Sequence, residues 1–173
     1  ASAFQSIKNN ESKIVVAGGQ ENMSLAPHAL HLRDGKKLGD VQIIDTMIKD
    51  GLWDAFHGYH MGITAENVAE KFQVTIEEQD KFALKSQEKA LKAQKENKFR
   101  DEIVNFKIKS KKAEINFEKD EHPREGVNLE SLSRLKPAFK KDGTVTAGNA
   151  SGINDGAAAI TLMNEAEAKK RRE

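Results

Sequence analysis

The sequence predicts an α/β fold, because helical and strand-like patterns alternate along it. Ala3, Phe4 and Ile7 have helical spacing near the start. A β-branched run at 13–17 follows and leads into two glycines, and a second apolar run lies at 157–163. Continuous apolar runs are typical of strands buried in a parallel sheet. We therefore expect both strands to lie inside a layered α/β arrangement.

The segment 143–162 carries the strongest local signal in the chain. Before its apolar run it is rich in residues with little side-chain bulk, which are Ala147, Gly148, Ala150, Ser151 and Gly152. Small residues let another group come close to the backbone. We expect a loop that a ligand or a neighbouring strand approaches closely.

Helical patterns fill much of the region between the two strands. Helical spacing at 40–52 and at 65–72 predicts two short helices. Thr75 and Glu78 have the spacing of a capping box, so a longer helix is expected over 76–97. One face of that helix consists of small residues that permit close packing, namely Ala83, Ser86, Ala90 and Ala93.

Shorter patterns complete the chain. Alternation at 103–108 and at 115–117 predicts an exposed hairpin. One brief helical turn is expected within 121–139, and a helix begins at Glu165. The irregular, partly apolar loop at 20–39 is typical of a contact between subunits.

Composition limits the function classes. The 173 residues include 28 basic and 27 acidic side chains, a net charge of +1. Such a balance gives no electrostatic case for nucleic acid or an anionic membrane as a partner. No apolar run is long enough for a spanning helix, so we expect a soluble intracellular protein. Both ends have the character of cuts within a longer chain.

Cysteine is absent from the sequence. This excludes disulfides, thiolate metal sites and cysteine nucleophiles from the chain itself. His57 and His60 have an i, i+3 spacing, but no third ligand at a familiar spacing completes a zinc set, so no metal site is predicted. His60 has either the role of a pocket wall or that of a structural histidine.

A basic cluster lies near the predicted hairpin turn and consists of Lys107, Lys109, Lys111 and Lys112. Such lysines commonly form a solvated edge that discourages strand pairing. Cations on exposed arms also recognise the phosphates of nucleotide-like ligands. Both interpretations remain open at this point.

Several longer segments together identify a family. They occur in order along nearly the whole chain and are VVAGGQENMS (15–24), IDTMIKDGLWDAF (44–56), YHMGITAENVA (59–69), EEQDKFALKSQEKA (77–90), LKPAF (135–139) and TVTAGNASGINDGAAA (144–159). In this combination the chain resembles thiolases, in the branch that joins or cleaves acetoacetyl-CoA. The resemblance implies a layered α/β/α N-terminal domain, formed in part by 1–22 and 154–173. It also implies an inserted α+β loop domain, 23–153, which binds coenzyme A and contributes to tetramers.

Site residues follow from the resemblance position by position. No catalytic residue and no metal ligand fall within the chain. The positions that match the adenine nucleotide site are Arg124, Ser131 and Leu135. Those that match the pantetheine channel and the acyl pocket are Leu52, His60, Met61, Ala138, Phe139, Ala147, Ser151, Gly152 and Ile153. A thin thioester arm suits a narrow, mainly apolar channel with a few polar anchors.

The function implied is that of an acetyl-CoA C-acetyltransferase, which condenses two acetyl-CoA to acetoacetyl-CoA and CoA or runs the reverse, in fatty acid and ketone body metabolism. Coenzyme A thioesters are its substrates, and no separate cofactor is expected. The catalytic Cys and His segments would lie outside these residues, so this chain alone is predicted to be inactive. A cytoplasmic homotetramer is expected, with mitochondria as the other location. The alternative function is a non-catalytic acyl-CoA-binding or interaction module.

Overall fold

The structure, a computed structural model, describes residues 1–33, 35–109 and 113–171. Lys111 and Lys112 of the basic cluster lie outside them. The chain mixes helices and strands, in agreement with the α/β prediction. In chain order the helices are α1 (Ser2–Lys8), α2 (Met61–Phe72), α3 (Ile76–Lys95), α4 (Leu129–Ser133) and α5 (Glu165–Lys170). The strands are β1 (Ile14–Glu21), β2 (His28–Ala29), β3 (Ile44–Asp45), β4 (Trp53–Asp54), β5 (Tyr59–His60), β6 (Phe106–Lys109), β7 (Glu114–Phe117) and β8 (Gly156–Met163).

The chain divides into two compact units. The first comprises Ala1–Gly51 and Ile153–Glu173, and the second is Leu52–Gly152. These bounds differ from the expected domains, because residues 23–51 and Ile153 belong to the first unit. The assignment of residues 23–153 to coenzyme A binding and tetramer contacts stays a prediction.

The first unit contains an antiparallel ribbon of β1 and β8. Their register runs from Ile14 opposite Met163 to Glu21 opposite Gly156. The expectation of buried strands in a parallel sheet is wrong here, because most of β8 is exposed and the two strands pair with each other in opposite directions. An apolar run predicts a strand, but it specifies neither the direction of pairing nor what covers the faces.

The expected helix over 40–52 is mostly absent, and only Met47–Gly51 forms a short π-helix. Its preceding residues instead form β3, which pairs antiparallel with β2. The carboxylate of Asp45 accepts hydrogen bonds from the backbone N–H groups of Met47 at 2.9 Å and Ile48 at 3.4 Å. This side-chain acceptor satisfies free helix N–H groups, which is why helical structure begins only after Asp45.

The second unit contains α2, α3 and α4, each in a region where the sequence predicted helical structure. Both halves of the capping box are present, since Thr75 Oγ1 accepts from Glu78 N and Glu78 Oε2 accepts from Thr75 N. Helix α3 begins at the predicted residue, and α2 begins at Met61, four residues earlier than expected. β4 and β5 pair antiparallel, so His60 lies in a strand and not on a helical face.

The predicted hairpin is confirmed. β6 pairs antiparallel with β7, from Phe106 opposite Phe117 to Lys109 opposite Glu114, and every residue of both strands is exposed. Lys107 Nζ lies 2.9 Å from a carboxylate oxygen of Glu114. This ion pair across the hairpin favours the solvated-edge interpretation of the basic cluster.

Two adjacent glycines of β1 give a test of the ribbon. A Cβ on Gly18 would lie 2.6 Å from the carbonyl oxygen of Ala158, whereas a Cβ on Gly19 would meet nothing within 4 Å. We expect Gly18→Ala to destabilise the protein by about 1–3 kcal/mol, because backbone atoms must move. Gly19→Ala should be neutral or slightly stabilising, because alanine loses less backbone entropy. Thermal unfolding of both variants checks this, and equal melting temperatures would contradict the register.

Candidate functional site

The candidate site in the second unit is built on a buried carboxylate of α2. Gly62, Glu66 and Ala69 are the buried residues of this helix, and they share one face. Glu66 is 4% exposed. Its two oxygens each accept the backbone N–H of Thr144 at 2.9 Å, and one also accepts the N–H of Val145 at 2.9 Å. The hydroxyl of Thr144 donates a further hydrogen bond at 3.0 Å.

These hydrogen bonds set the charge state of the carboxyl group. Burial by itself raises the pKa of Glu66, but the donors of Val145 and Thr144 stabilise the anion and together hold its pKa below the ordinary value. Nearby Lys140 acts in the same direction. Glu66 therefore serves as an ionised acceptor at neutral pH.

Helix α3 holds the same segment from a second direction. The buried carboxylate of Asp80 accepts from the side-chain amide of Asn149 at 3.0 Å. That amide also donates to the carbonyl of Thr144 at 3.0 Å, and its oxygen accepts from the N–H of Thr146 at 2.8 Å. Gln79 Nε2 donates to the hydroxyl of Thr144 at 2.9 Å. The backbone of 144–149 is thus fixed from both helices.

Five of the predicted site residues lie together at the start of α2, namely Leu52, His60, Met61, Ala138 and Phe139. The ring of Phe139 stacks on that of His60 with centroids 4.7 Å apart. His60 Nδ1 accepts the N–H of Gly62 at 2.9 Å, and Met61 N donates to the carbonyl of Leu52 at 2.8 Å. Ala138 N donates to the carbonyl of Val145 at 2.9 Å. His60 therefore has a helix-capping role and also forms part of an aromatic wall.

A second group surrounds the small residues after Thr146. A Cβ on Gly148 would lie 2.5 Å from Leu132 Cδ2 and 2.6 Å from Leu135 Cδ1. The close approach expected at this glycine is therefore made by leucine side chains of the same chain. Ala147, its neighbour, is exposed. Leu135 contributes to this packing, and Ser131 exchanges hydrogen bonds with Asn128 in the capping box of α4.

Beside this packing lies a groove of about 290 Å³. Its walls are the small-residue face of α3, the loop around Ser151 and the pair His122–Pro123; the lining residues are Phe82, Ala83, Ser86, Gln87, Ala90, His122, Pro123, Gly148, Asn149, Ala150 and Ser151. Arg124 follows directly, and its backbone N–H donates to Gln87 Oε1 at 3.0 Å. Ser151 therefore lines the groove, and Arg124 contacts it through the lining residue Gln87.

Gly152 and Ile153 are exposed, and Ile153 belongs to the first unit. The binding roles of all twelve predicted residues stay predictions.

Among the described residues no group of three or more His, Asp or Glu side chains could hold a metal ion. His57 instead pairs with Asp54 at 2.8 Å, and this hydrogen bond lowers the pKa of Asp54. In the part of the chain that the structure describes, no helix has the length and apolarity to cross a membrane.

Sequence reasoning missed the polar residues that support the loop, which are Glu66, Gln79, Asp80, Thr146 and Asn149. One signal was available for the first of them. Gly62, Glu66 and Ala69 have i, i+4, i+7 spacing, so the carboxylate stands on the same helical face as two small residues. A charged residue among small ones on a buried face requires hydrogen-bond partners.

Comparison with known proteins identifies the family. The family model of the thiolase N-terminal domain matches residues 1–166. This chain belongs to the thiolase family, as the resemblance of its motifs predicted. The solved structures that it matches are thiolases too, in agreement with its mixture of helices and strands.

The relatives that it matches include several acetyl-CoA acetyltransferases. The chain is 61% identical over 171 residues to the one from Rhizobium meliloti, covering 99% of this chain and 44% of the relative. It is 57% identical to the cytosolic acetyl-CoA acetyltransferase of Rattus norvegicus, covering 98% of this chain and 43% of that one. The Bacillus anthracis acetyl-CoA acetyltransferase structure matches with a TM-score of 0.89 at 48% identity, over 99% of this chain and 43% of that chain. The chain therefore spans less than half the length of these relatives.

The lowered pKa of Glu66 predicts an acid-sensitive site. Its folded pKa lies below the ordinary value of 4.5, so its stabilising contribution is fully present above about pH 4.5 and is lost as the pH falls through the folded pKa. We expect the melting temperature of the wild type to fall more steeply between about pH 5 and pH 3 than that of Glu66→Gln. Parallel curves for the two proteins would show that Glu66 is not an ionised acceptor in the folded state.

Proposed function

We propose that this chain is the coenzyme A-binding part of an acetyl-CoA C-acetyltransferase. The whole protein would condense two acetyl-CoA to acetoacetyl-CoA and CoA, or run the reverse reaction. The names of its relatives support this activity. The observation in the fold that carries the proposal is the groove between the small-residue face of α3 and the loop at Ser151.

The groove fits the physical demands of a coenzyme A arm. A thin, flexible thioester arm gains affinity from a narrow channel whose walls carry little side-chain bulk. Ala83, Ser86 and Ala90 on α3 provide such a wall, and Ser151 provides a hydroxyl opposite it. Arg124 is exposed and makes no ion pair among residues 1–33, 35–109 and 113–171. Its guanidinium is available to a phosphate group, for which arginine has a matching geometry.

The chain contributes binding and orientation, while the chemistry would come from elsewhere in the protein. It contains no cysteine, so it holds neither the acetyl-accepting thiol nor the second thiol of the thiolase reaction. Holding two substrates in a reactive geometry supplies several kcal/mol of the barrier reduction in a two-substrate reaction. This chain alone is accordingly inactive in the proposal.

A homotetramer in the cytoplasm completes the proposal. Support comes from the segment between β2 and β3, where apolar side chains are exposed at Leu30, Leu32, Leu38, Val41 and Ile43. A run of exposed apolar residues favours burial against another subunit. The cytosolic rat relative supports the location.

A non-catalytic acyl-CoA-binding module is the second candidate, favoured by the absence of cysteine in a chain that retains the groove. The intact mass of the protein from its source, with peptide mapping beyond both ends of this sequence, separates the two candidates. Cysteine-bearing peptides on both sides support the enzyme. A native mass near 19.2 kDa would support the module.

Two substitutions test the binding site itself in the protein at its native length. Ser151→Trp fills the groove, and Arg124→Glu places a negative charge where phosphate is expected. We expect either change to weaken CoA binding at least about tenfold, measured by isothermal titration calorimetry. Arg100→Glu is the charge-matched control, because Arg100 lines a different cavity. Unchanged affinity in both test variants would refute the assignment of the groove to coenzyme A.

A further inference from the structure

The thiolase motifs give no role to the most buried carboxylate of α2. Glu66 accepts four hydrogen bonds, and all of them come from Thr144 and Val145. We propose that Glu66 is a positioning residue for coenzyme A binding, which fixes the Thr144–Val145 backbone and thereby both the stack of Phe139 on His60 and the loop at Ser151. This inference rests on the proposed function of the groove.

The contacts of the Glu66 carboxylate are those of a hydrogen-bond acceptor and not those of an ion pair. A carboxylate has two oxygens with several acceptor sites, enough for the two N–H groups and the hydroxyl that converge on it. Among the described residues its charge has no partner in an ion pair, since Lys140 Nζ lies 3.4 Å from Glu70 instead. Hydrogen bonds to a charged acceptor are shorter and stronger than those to a neutral acceptor. Because donors of two adjacent residues converge on the two oxygens, Glu66 fixes both the position and the orientation of the Thr144–Val145 backbone.

The segment cannot relax around a changed carboxylate without loss of packing. A Cβ on Gly143 would lie 2.3 Å from Glu66 Oε1, so the backbone already passes as close to the oxygen as a glycine permits. Val145 is 6% exposed and Thr146 is fully buried. If Glu66 releases the N–H of Val145, this donor stays inside the protein, where an unpaired donor is unfavourable.

Two routes connect this contact to the predicted binding residues. The carbonyl of Val145 accepts from Ala138 N, which leads directly to Phe139 and its stack on His60. In the other direction, the N–H of Thr146 donates to Asn149, which precedes the groove residues Ala150 and Ser151. A shift at 144–145 therefore moves the aromatic wall and the loop together.

The test compares Glu66→Gln with Glu70→Gln in the protein at its native length. Glutamine keeps one acceptor oxygen but directs an NH₂ group toward the converging donors. Glu70 is the matched control, because it lies one helical turn further along and its side chain is 72% exposed. We expect Glu66→Gln to raise the KM for acetoacetyl-CoA in thiolysis and the Kd for CoA by roughly tenfold, with kcat within about twofold of wild type. Hydrogen exchange at Thr144 and Val145 should speed up, and Glu70→Gln should match wild type in KM, kcat, Kd and hydrogen exchange.

The kinetic and binding constants of Glu66→Gln decide whether Glu66 positions the coenzyme A site. Wild-type KM and Kd in a folded Glu66→Gln overturn the inference and leave the proposed function intact. A loss of kcat at unchanged KM also overturns it, because binding is then unaffected. If the wild type itself does not bind CoA, the proposed function fails and the inference with it. If Glu66→Gln does not fold, Thr144→Val decides with Gln79→Ala as its control. Thr144→Val removes the hydroxyl donor to Glu66 and also the acceptor of Gln79 Nε2, whereas Gln79→Ala removes the Gln79 hydrogen bond and leaves the donors to Glu66 in place. A KM about two- to threefold higher in Thr144→Val than in Gln79→Ala supports the inference, and equal KM values refute it.

Discussion

The second unit depends on one constraint, the requirement that the backbone donors of Thr144 and Val145 find an acceptor inside the protein. Glu66 on α2 meets it with a single side chain. The antiparallel bridge between Pro137 and Thr146, in which Ala138 N donates to the carbonyl of Val145, follows from that contact. It brings Phe139 back over Gly62 and His60 at the start of the same helix. The contacts therefore support one another: α2 holds the Thr144–Val145 backbone through Glu66, and the paired residues before it cover the first turn of α2 through Phe139.

Small residues have two different roles in this structure. At Gly62 and Gly148 the space that a side chain would occupy is filled by Phe139 and by Leu132 and Leu135 of the same chain. The close approach there is internal packing, which fixes the loop. On α3 the small residues Ala83, Ser86 and Ala90 face the groove instead and leave it open. A run of small residues in a sequence predicts close approach, but only the fold shows whether the approaching group is the protein or a ligand.

The parts of the fold that the sequence predicted well are those set by local chemistry. The capping box at Thr75 and the alternation in β6 and β7 each involve residues within a few positions of one another. The exposure of Ile160 and the antiparallel pairing of β1 with β8 depend on contacts more than 130 residues apart, which a local pattern does not encode. The same limit applies to the site. Family motifs located the predicted binding positions, whereas the support by Glu66 and Asp80 spans about 70 to 80 residues of sequence.

Under the proposed function, the fixed loop has a role in binding and not in the chemical step. The chain has no cysteine thiol to accept the acyl group, so its proposed contribution is to hold the thioester where the reacting groups are, and the rate of such a reaction falls steeply with small displacements of the substrate. A backbone held by one or two hydrogen bonds at an open surface has freedom on that scale. The 144–149 segment is held by two carboxylates from two helices, with Thr146 fully buried between them. In the proposed coenzyme A site, a segment fixed in this way would hold the binding residues in place before the ligand arrives, so that less binding energy is lost to ordering the loop.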